Sequence, residues 1–203
     1  MTGASGTGKS TITGPLRQPL PDCEVFEADT TLHIAALGWD TWRNTWLQLA
    51  DAIALNGRAT VLTGSLIPAQ LQDLPARRLL GPVHFATLDC PAGMLAERLR
   101  ARPAWRGTSG AAKLAEHQQF AAWLRANIQP TFDTGDHTAD DVATQVAARV
   151  TALLPALLRA REDSVKPVAR RLTPCCARSS PPSVQGCVSP TPGGPHVRHW
   201  ARA

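Results

Sequence analysis

The sequence predicts an α/β fold, a three-layer sandwich with a mainly parallel sheet whose first strand is truncated. Short strand-like segments, Glu24-Val25-Phe26-Glu27, Ala59 to Thr63 and Val83 to Leu88, alternate with longer stretches of helical apolar spacing. Strands that alternate with helices cross over and pair in parallel. The chain also opens with Gly3-Ala4-Ser5-Gly6-Thr7-Gly8-Lys9-Ser10, a G-x-x-x-x-G-K-[ST] loop of the kind that leads a buried strand into a helix. Only Met1 and Thr2 stand before it, too few for a strand of ordinary length.

The elements follow in order. Ser10 to about Arg17 reads as a short helix closed by Pro19 and Pro21, and Glu24 to Glu27 as a strand that ends in the polar Ala28-Asp29-Thr30. From about Trp39 to Asn56, Trp42, Trp46, Leu49 and Ile53 recur at helical spacing and Asn56-Gly57 supplies the stop. Ala59 to Thr63 is a β-branched strand between Gly57 and Gly64. Pro68 to Leu80 holds one or two helices, Val83 to Leu88 is the next strand, and Ala92 to Ala101 resumes a helix. Leu114, Phe120, Leu124 and Ile128 make an amphipathic stretch from about Ala111; Pro130 to Thr134 is a weak last strand, and Asp140 to Leu158 a final helix.

The opening loop carries definite chemistry. Its glycines let successive backbone N–H groups turn toward a β-phosphate, Lys9 reaches the β- and γ-phosphates, and the Ser10 hydroxyl suits Mg²⁺. Gly3, Ala4, Ser5, Gly6, Thr7, Gly8, Lys9, Ser10 and Thr11 are therefore the expected nucleotide-binding residues, with the following helix aimed at the same phosphates.

Composition narrows the partners. The 203 residues suffice for one domain, expected over 1–160, followed by a disordered proline- and arginine-rich tail over 161–203. The formal charge of +5 resides in that tail: six of the 21 Lys and Arg lie after residue 163, and none of the 16 Asp and Glu. The body is nearly neutral, which argues against a nucleic-acid polymer as partner. Cys175, Cys176 and Cys187 with His196 and His199 fit no usual zinc spacing, while the single Cys23 and Cys90 fit reduced cytosolic thiols. No stretch reads as a signal peptide and no apolar run is long enough to span a bilayer, so the expectation is a cytoplasmic protein that does not engage membranes.

These pieces, from Gly3 to about Leu158, resemble the small-molecule kinases of the P-loop NTPase superfamily, which include nucleoside monophosphate kinases, shikimate and gluconate kinases and chloramphenicol phosphotransferase. Besides the loop, the likeness is carried by Phe26-Glu27-Ala28-Asp29, by Val61-Leu62-Thr63-Gly64-Ser65, and by Glu97-Arg98-Leu99-Arg100-Ala101-Arg102-Pro103 following Leu88-Asp89-Cys90-Pro91. Phe132-Asp133-Thr134-Gly135 with Ala139-Asp140-Asp141-Val142 is similar to the family's last strand and helix. The chain departs from the pattern in lacking the first strand, in showing Glu27-x-Asp29 where the family has Asp-x-Asp, and in having no carboxylate on Ala59 to Thr63 for a Walker B role.

The resemblance implies ATP and Mg²⁺ as cofactors, a small-molecule acceptor with nucleosides or nucleotides ahead of sugars and antibiotics, and a role for each charged residue. Lys9 would neutralise phosphate charge, Asp29 would hold the acceptor hydroxyl and take its proton, and Ser10 and Glu27 would hold Mg²⁺, Glu27 through water. Arg102 and Arg106, beside the flap of Pro103 and Gly107-Thr108-Ser109-Gly110, would close on the phosphates as mobile charges. Bland alternatives stay open: Glu27 and Asp29 as solvated strand-end carboxylates, Arg98 and Arg100 as a solvated helix face. Trp39, Trp42 and Trp46 share one face and fit core packing better than base stacking, although Arg43 between them would suit an acceptor phosphate. His33, His84, His117 and His137 show no partnering pattern. Two other functions fit the loop: an ATPase or ATP-binding switch without a small-molecule acceptor, and a truncated, non-catalytic remnant.

Overall fold

The computed structural model describes residues 1–103 and 107–169; Arg106 and residues 170–203 of the expected tail lie outside the described residues. Among the described residues four strands form two parallel pairs. In the first, β1 (Cys23–Glu27) lies beside β2 (Ala59–Thr63), in a register running from Cys23 opposite Ala59 to Glu27 opposite Thr63. In the second, β3 (Thr87–Asp89) lies beside β4 (Thr131–Asp133), with Leu88 opposite Phe132.

One residue joins the pairs. Thr2 makes isolated parallel bridges to Gly64, just past β2, and to Thr87 on β3. Its N–H donates to the Ala86 carbonyl at 2.8 Å and its carbonyl accepts from Leu88 N–H at 2.8 Å, while Gly64 N–H donates to the Met1 carbonyl at 3.1 Å. The terminal amino group donates to the Leu62 carbonyl at 2.8 Å. Residues 1–3 thus occupy the central line of a sheet ordered β1, β2, residues 1–3, β3, β4.

Five α-helices cover the sheet: α1 (Lys9–Thr13), α2 (Trp39–Leu55), α3 (Ala92–Arg100), α4 (Ala111–Asn127) and α5 (Ala139–Ala169). On one face Ile12 and Leu16 pack with Val142 and Val146 of α5 against Val25, Val61 and Leu88. The four-residue spacing of those valines is what turns one stripe of α5 inward. On the other face Trp42, Trp46 and Leu47 of α2 pack with Leu66, Leu71 and Leu74. A third cluster sets Leu95 and Leu99 of α3 and Leu114 of α4 against Ala4 of the loop.

The structure corrects several expectations. The helix after the loop ends at Thr13 and gives way to a single 3-10 turn, Pro15–Arg17. The Pro68 to Leu80 stretch forms two 3-10 turns, Pro68–Gln70 and Pro75–Leu79; Pro75, without an N–H to give, starts the second turn and cannot carry on a helix from the first. Ala28–Leu37, expected only as a polar strand end, is 3-10 helical with a kink at Thr31. Val83 to Ala86, expected as strand, lies outside β3. A strand exists by pairing, and the bonds that Thr2 makes to this side of the sheet fall at the end of the segment, on the Ala86 carbonyl and the Leu88 N–H.

Candidate functional site

The loop's shape depends on two kinds of glycine. Gly8, at φ 88°, caps α1 in the left-handed region that a Cβ disfavours. Gly3 lies so close to its surroundings that a Cβ there would come within 2.4 Å of Thr7 Oγ1 and 2.9 Å of the Leu88 carbonyl. The Gly3-Ala4 backbone therefore presses directly on the sheet. Thr7 locks the turn from beneath, donating from both its N–H (3.3 Å) and its hydroxyl (3.0 Å) to the Ala4 carbonyl.

Above this turn lies a cleft of about 1030 Å³ that gathers most of the expected residues: Ser5, Gly6, Gly8, Lys9, Ser10, Thr11, Glu27, Asp29 and Arg102. Gly3, Ala4 and Thr7 do not line it; they are buried behind it as the loop's support. Arg106 lies outside the described residues.

Lys9 is buried and its ammonium folds back on the loop, donating to the carbonyls of Gly3 at 2.9 Å and Ala4 at 3.0 Å. Burial pushes its pKa down, Asp29 opposes that, Arg102 adds to it, and Glu27 opposes it. A buried ammonium held only by neutral carbonyls is a poor charge balance, so an anion in the loop would be welcome. The Ser10 hydroxyl donates to the Glu27 carboxylate in a short contact. A hydroxyl and a carboxylate side by side are hard oxygen donors of the sort Mg²⁺ takes together with phosphate oxygens. The residues present thus fit both a nucleotide phosphate and Mg²⁺. Among the described residues no group of three His, Cys, Asp or Glu side chains forms a metal cage.

Asp29 lies in the first turn of the 3-10 segment that follows β1 and is half-buried. Its carboxyl pKa is raised, chiefly by burial, with Lys9 pulling it down, Glu27 pushing it up and Arg102 pulling it down. A carboxylate so placed is a stronger base than a solvated one.

Two residues that sequence reasoning undervalued complete the cleft. Arg98 donates to Thr134 Oγ1 at 3.1 Å, to the Thr134 carbonyl at 2.7 Å and to the Gly6 carbonyl at 3.4 Å. Thr134, buried at the end of β4, donates in turn to the Thr7 carbonyl at 3.1 Å. Arg98 therefore buttresses the loop and is no solvated helix residue. The signal was available: Leu95, Arg98 and Leu99 follow i, i+3, i+4, so Arg98 shares the buried face of α3, and Arg102 continues the same spacing just past the helix end. Arg102 donates to Ser5 Oγ at 2.7 Å, directly over the loop. His137, set aside as unpartnered, lines the same cleft.

The tryptophans divide. Trp42 and Trp46 are core residues, whereas Trp39, at the first residue of α2, is 55% exposed and carries Arg43 5.6 Å from its ring centre. Arg43 is also paired with Asp40 at 2.9 Å and does not line the cleft.

Solved structures share this architecture. A sugar kinase from Janibacter aligns with a TM-score of 0.51 at 22% identity, over 72% of this chain and 90% of that one. Shikimate kinase from Acinetobacter baumannii, solved with shikimate, aligns with a TM-score of 0.50 at 17% identity, over 74% and 90%. A tunicamycin resistance protein from Deinococcus radiodurans gives 0.48 at 22%, over 70% and 90%. No protein-family model and no curated protein sequence matches the chain. Identities at this level establish the fold alone: an α/β sandwich of the P-loop type.

Proposed function

From the P-loop kinase fold shared with these structures, we propose that the chain moves the γ-phosphoryl group of ATP to a hydroxyl of a small-molecule acceptor. The observation that carries this reading is the convergence of Lys9, the Ser10 and Glu27 pair, Asp29 and Arg102 on one cleft. A loop alone would serve any nucleotide hydrolase; a half-buried carboxylate with a raised pKa beside it is what a hydroxyl acceptor needs.

In this reading Lys9 leaves the loop carbonyls to neutralise β- and γ-oxygens, and Ser10 and Glu27 hold Mg²⁺. Bound there, Mg²⁺ would supply positive charge to offset that on the departing diphosphate. Asp29 takes the acceptor's proton as its oxygen bonds to the γ-phosphorus, the bond to the β,γ-bridging oxygen breaks, and ADP leaves. Arg102 supplies positive charge where the transferring group develops negative charge, with Arg106 as its expected partner. The sequence favours nucleosides or nucleotides as acceptors. Arg43, the residue that would meet an acceptor phosphate, is held by Asp40 and Trp39 away from the cleft, so hydroxyl acceptors without a phosphate rank first, as in the sugar kinase and the shikimate complex.

The test is ADP release across a panel of nucleosides, sugars and hydroxy acids. Turnover should depend on one acceptor class and fall by on the order of 10² or more in Lys9→Ala and in Asp29→Asn. Acceptor-independent turnover would make the chain an ATPase. If ATP with Mg²⁺ does not raise the melting temperature at all, the loop is a relic.

A further inference from the structure

Three of the large apolar side chains exposed among the described residues lie close together in the chain just past Asp29: Leu32 (42%), Leu37 (76%) and Trp39 (55%). Leu32 lines the cleft together with Asp29 and Thr30. Its neighbour Thr31 accepts the Trp42 indole N–H at 3.0 Å, and Trp39 meets Trp42 edge-on at 5.8 Å. The exposed tryptophan therefore stands on the same side of the molecule as the turn that carries Asp29. Apolar groups scattered singly over a surface need no explanation, whereas a group of them beside a cleft marks something that it covers.

The polar groups around Asp29 are already engaged. The Thr30 hydroxyl donates to the Glu27 carbonyl at 2.7 Å, and the Thr31 hydroxyl is taken up by the Ala28 carbonyl and the two indoles of Trp42 and Trp46. Asp40 and Arg43, the next residues of fixed charge along the chain, pair with each other at 2.9 Å. His33 does not line the cleft. From Asp29 outward this wall thus offers a carboxylate and then a leucine. An acceptor with several hydroxyls would bury polar groups here that find no partner, and each one weakens binding. An acceptor with a single hydroxyl avoids that loss and gains by covering Leu32.

We propose that the acceptor side of the cleft takes an alcohol whose one reacting hydroxyl is carried on a largely apolar body, with the hydroxyl at Asp29 and the body over Leu32 toward Leu37 and Trp39. Placing the hydroxyl at Asp29 rests on the phosphoryl-transfer reading; the apolar wall stands without it. Aryl and alicyclic alcohols thereby rank ahead of sugars and other polyols. The alcohol oxygen bonds to the γ-phosphorus and its proton passes to Asp29. ADP leaves with the bridging oxygen, and the other product is a phosphate monoester of the alcohol.

The experiment sets cyclohexylmethanol and 2-phenylethanol against glycerol and glucose on the full chain. Turnover is read with ATP and Mg²⁺, and equilibrium binding by ligand-observed NMR with ADP and Mg²⁺. The apolar alcohols should lead in both, with kcat/KM on the order of tenfold above the polyols and rising roughly two- to fourfold for each methylene added to the body. Leu32→Asn should raise KM for the apolar alcohols on the order of tenfold with kcat little changed, and shrink their lead over glucose, while Leu32→Met should keep that lead. A preference for glucose or glycerol, an apolar lead that Leu32→Asn leaves intact, or apolar alcohols that do not bind overturns the proposal; phosphorylation of a polyol in that case leaves the phosphoryl-transfer reading standing. Apolar alcohols that bind, weaken in Leu32→Asn and are never phosphorylated support the apolar wall and overturn phosphoryl transfer instead. Self-association that shuts the alcohols out, seen by size-exclusion chromatography and undone by Trp39→Ser, also overturns the proposal.

Discussion

Arg98 lies on α3 and Arg102 just past its end, four positions apart, yet their bonds assign them different work. Arg98 spends its guanidinium on Thr134 and the Gly6 carbonyl, groups that belong to the scaffold. Arg102 reaches Ser5 at the rim of the loop, where a phosphate chain would lie. Arg98→Ala should therefore cost stability, about 1–3 kcal/mol for the lost charge-assisted bonds, and blunt the ATP-induced rise in melting temperature. Arg98→Lys should recover little, because one ammonium cannot bridge the hydroxyl and carbonyl of Thr134 as the planar fork does. Arg102→Ala should melt close to the parent and lose on the order of 10² in kcat. Denaturant melts and steady-state kinetics on the three variants check this; a kcat loss confined to Arg98 variants would reverse the assignment. Spacing against Leu95 and Leu99 was enough to see that both arginines face inward. That Arg98 would find Thr134 was not legible, because the partner lies 36 positions away and only tertiary folding brings β4 to the loop.

At the scale of elements, the turn Ala28–Leu37 and helix α2 are fastened together by one hydroxyl. Thr31 Oγ1 donates to the Ala28 carbonyl at 3.1 Å and accepts from the indole N–H groups of Trp42 at 3.0 Å and Trp46 at 3.1 Å. One donor and two lone pairs are all a threonine hydroxyl has. Thr31 lies at the kink of the turn, two residues beyond Asp29, so this fastening also fixes where the candidate base stands. Thr31→Val keeps the shape and removes all three bonds, leaving two indole donors without partners. The expected loss is roughly 2–4 kcal/mol, seen as a lower urea midpoint at unchanged slope, and Thr31→Ser should recover most of it. The Trp42 and Trp46 stripe announced a buried helix face in the sequence, and so did the valines of α5. Trp39 misled: it meets Trp42 edge-on at 5.8 Å, but at the first residue of α2 it stays exposed, because spacing sets the face and only a covering neighbour buries it. The turn around Thr31 was illegible because 3-10 segments carry no apolar period of their own; it is held by bonds that α2 supplies.

The molecule as a whole is two parallel strand pairs held together at the centre by Thr2, and that arrangement sets a pH dependence. The terminal amino group is buried, bonded to Leu62, and its pKa is lowered from 8.0 to about 6. The basic side chains that line a cavity of about 500 Å³ with it are Arg43, Arg58, His84 and Arg149, and no carboxylate lines that cavity to hold its proton. In the unfolded chain the amine binds a proton near pH 8, in the folded chain only near pH 6. Between those values the unfolded state carries more protons, so stability rises with pH. Stability is full above pH 8, declines through the window as pH falls, and below pH 6 is lower by roughly 2–3 kcal/mol. For a chain of this size that corresponds to roughly 4–10 °C in melting temperature. His117, whose pKa burial also lowers, adds a slope of the same sign, so the decisive quantity is the difference between the free chain and one acetylated at Met1. Acetylation replaces the amine by an amide that cannot titrate and still donates to Leu62. The acetylated chain should melt higher, by a margin that is widest at pH 6 and closes toward pH 8. A margin constant across that range would mean that the amino group is solvated and that the two halves of the sheet do not meet around it.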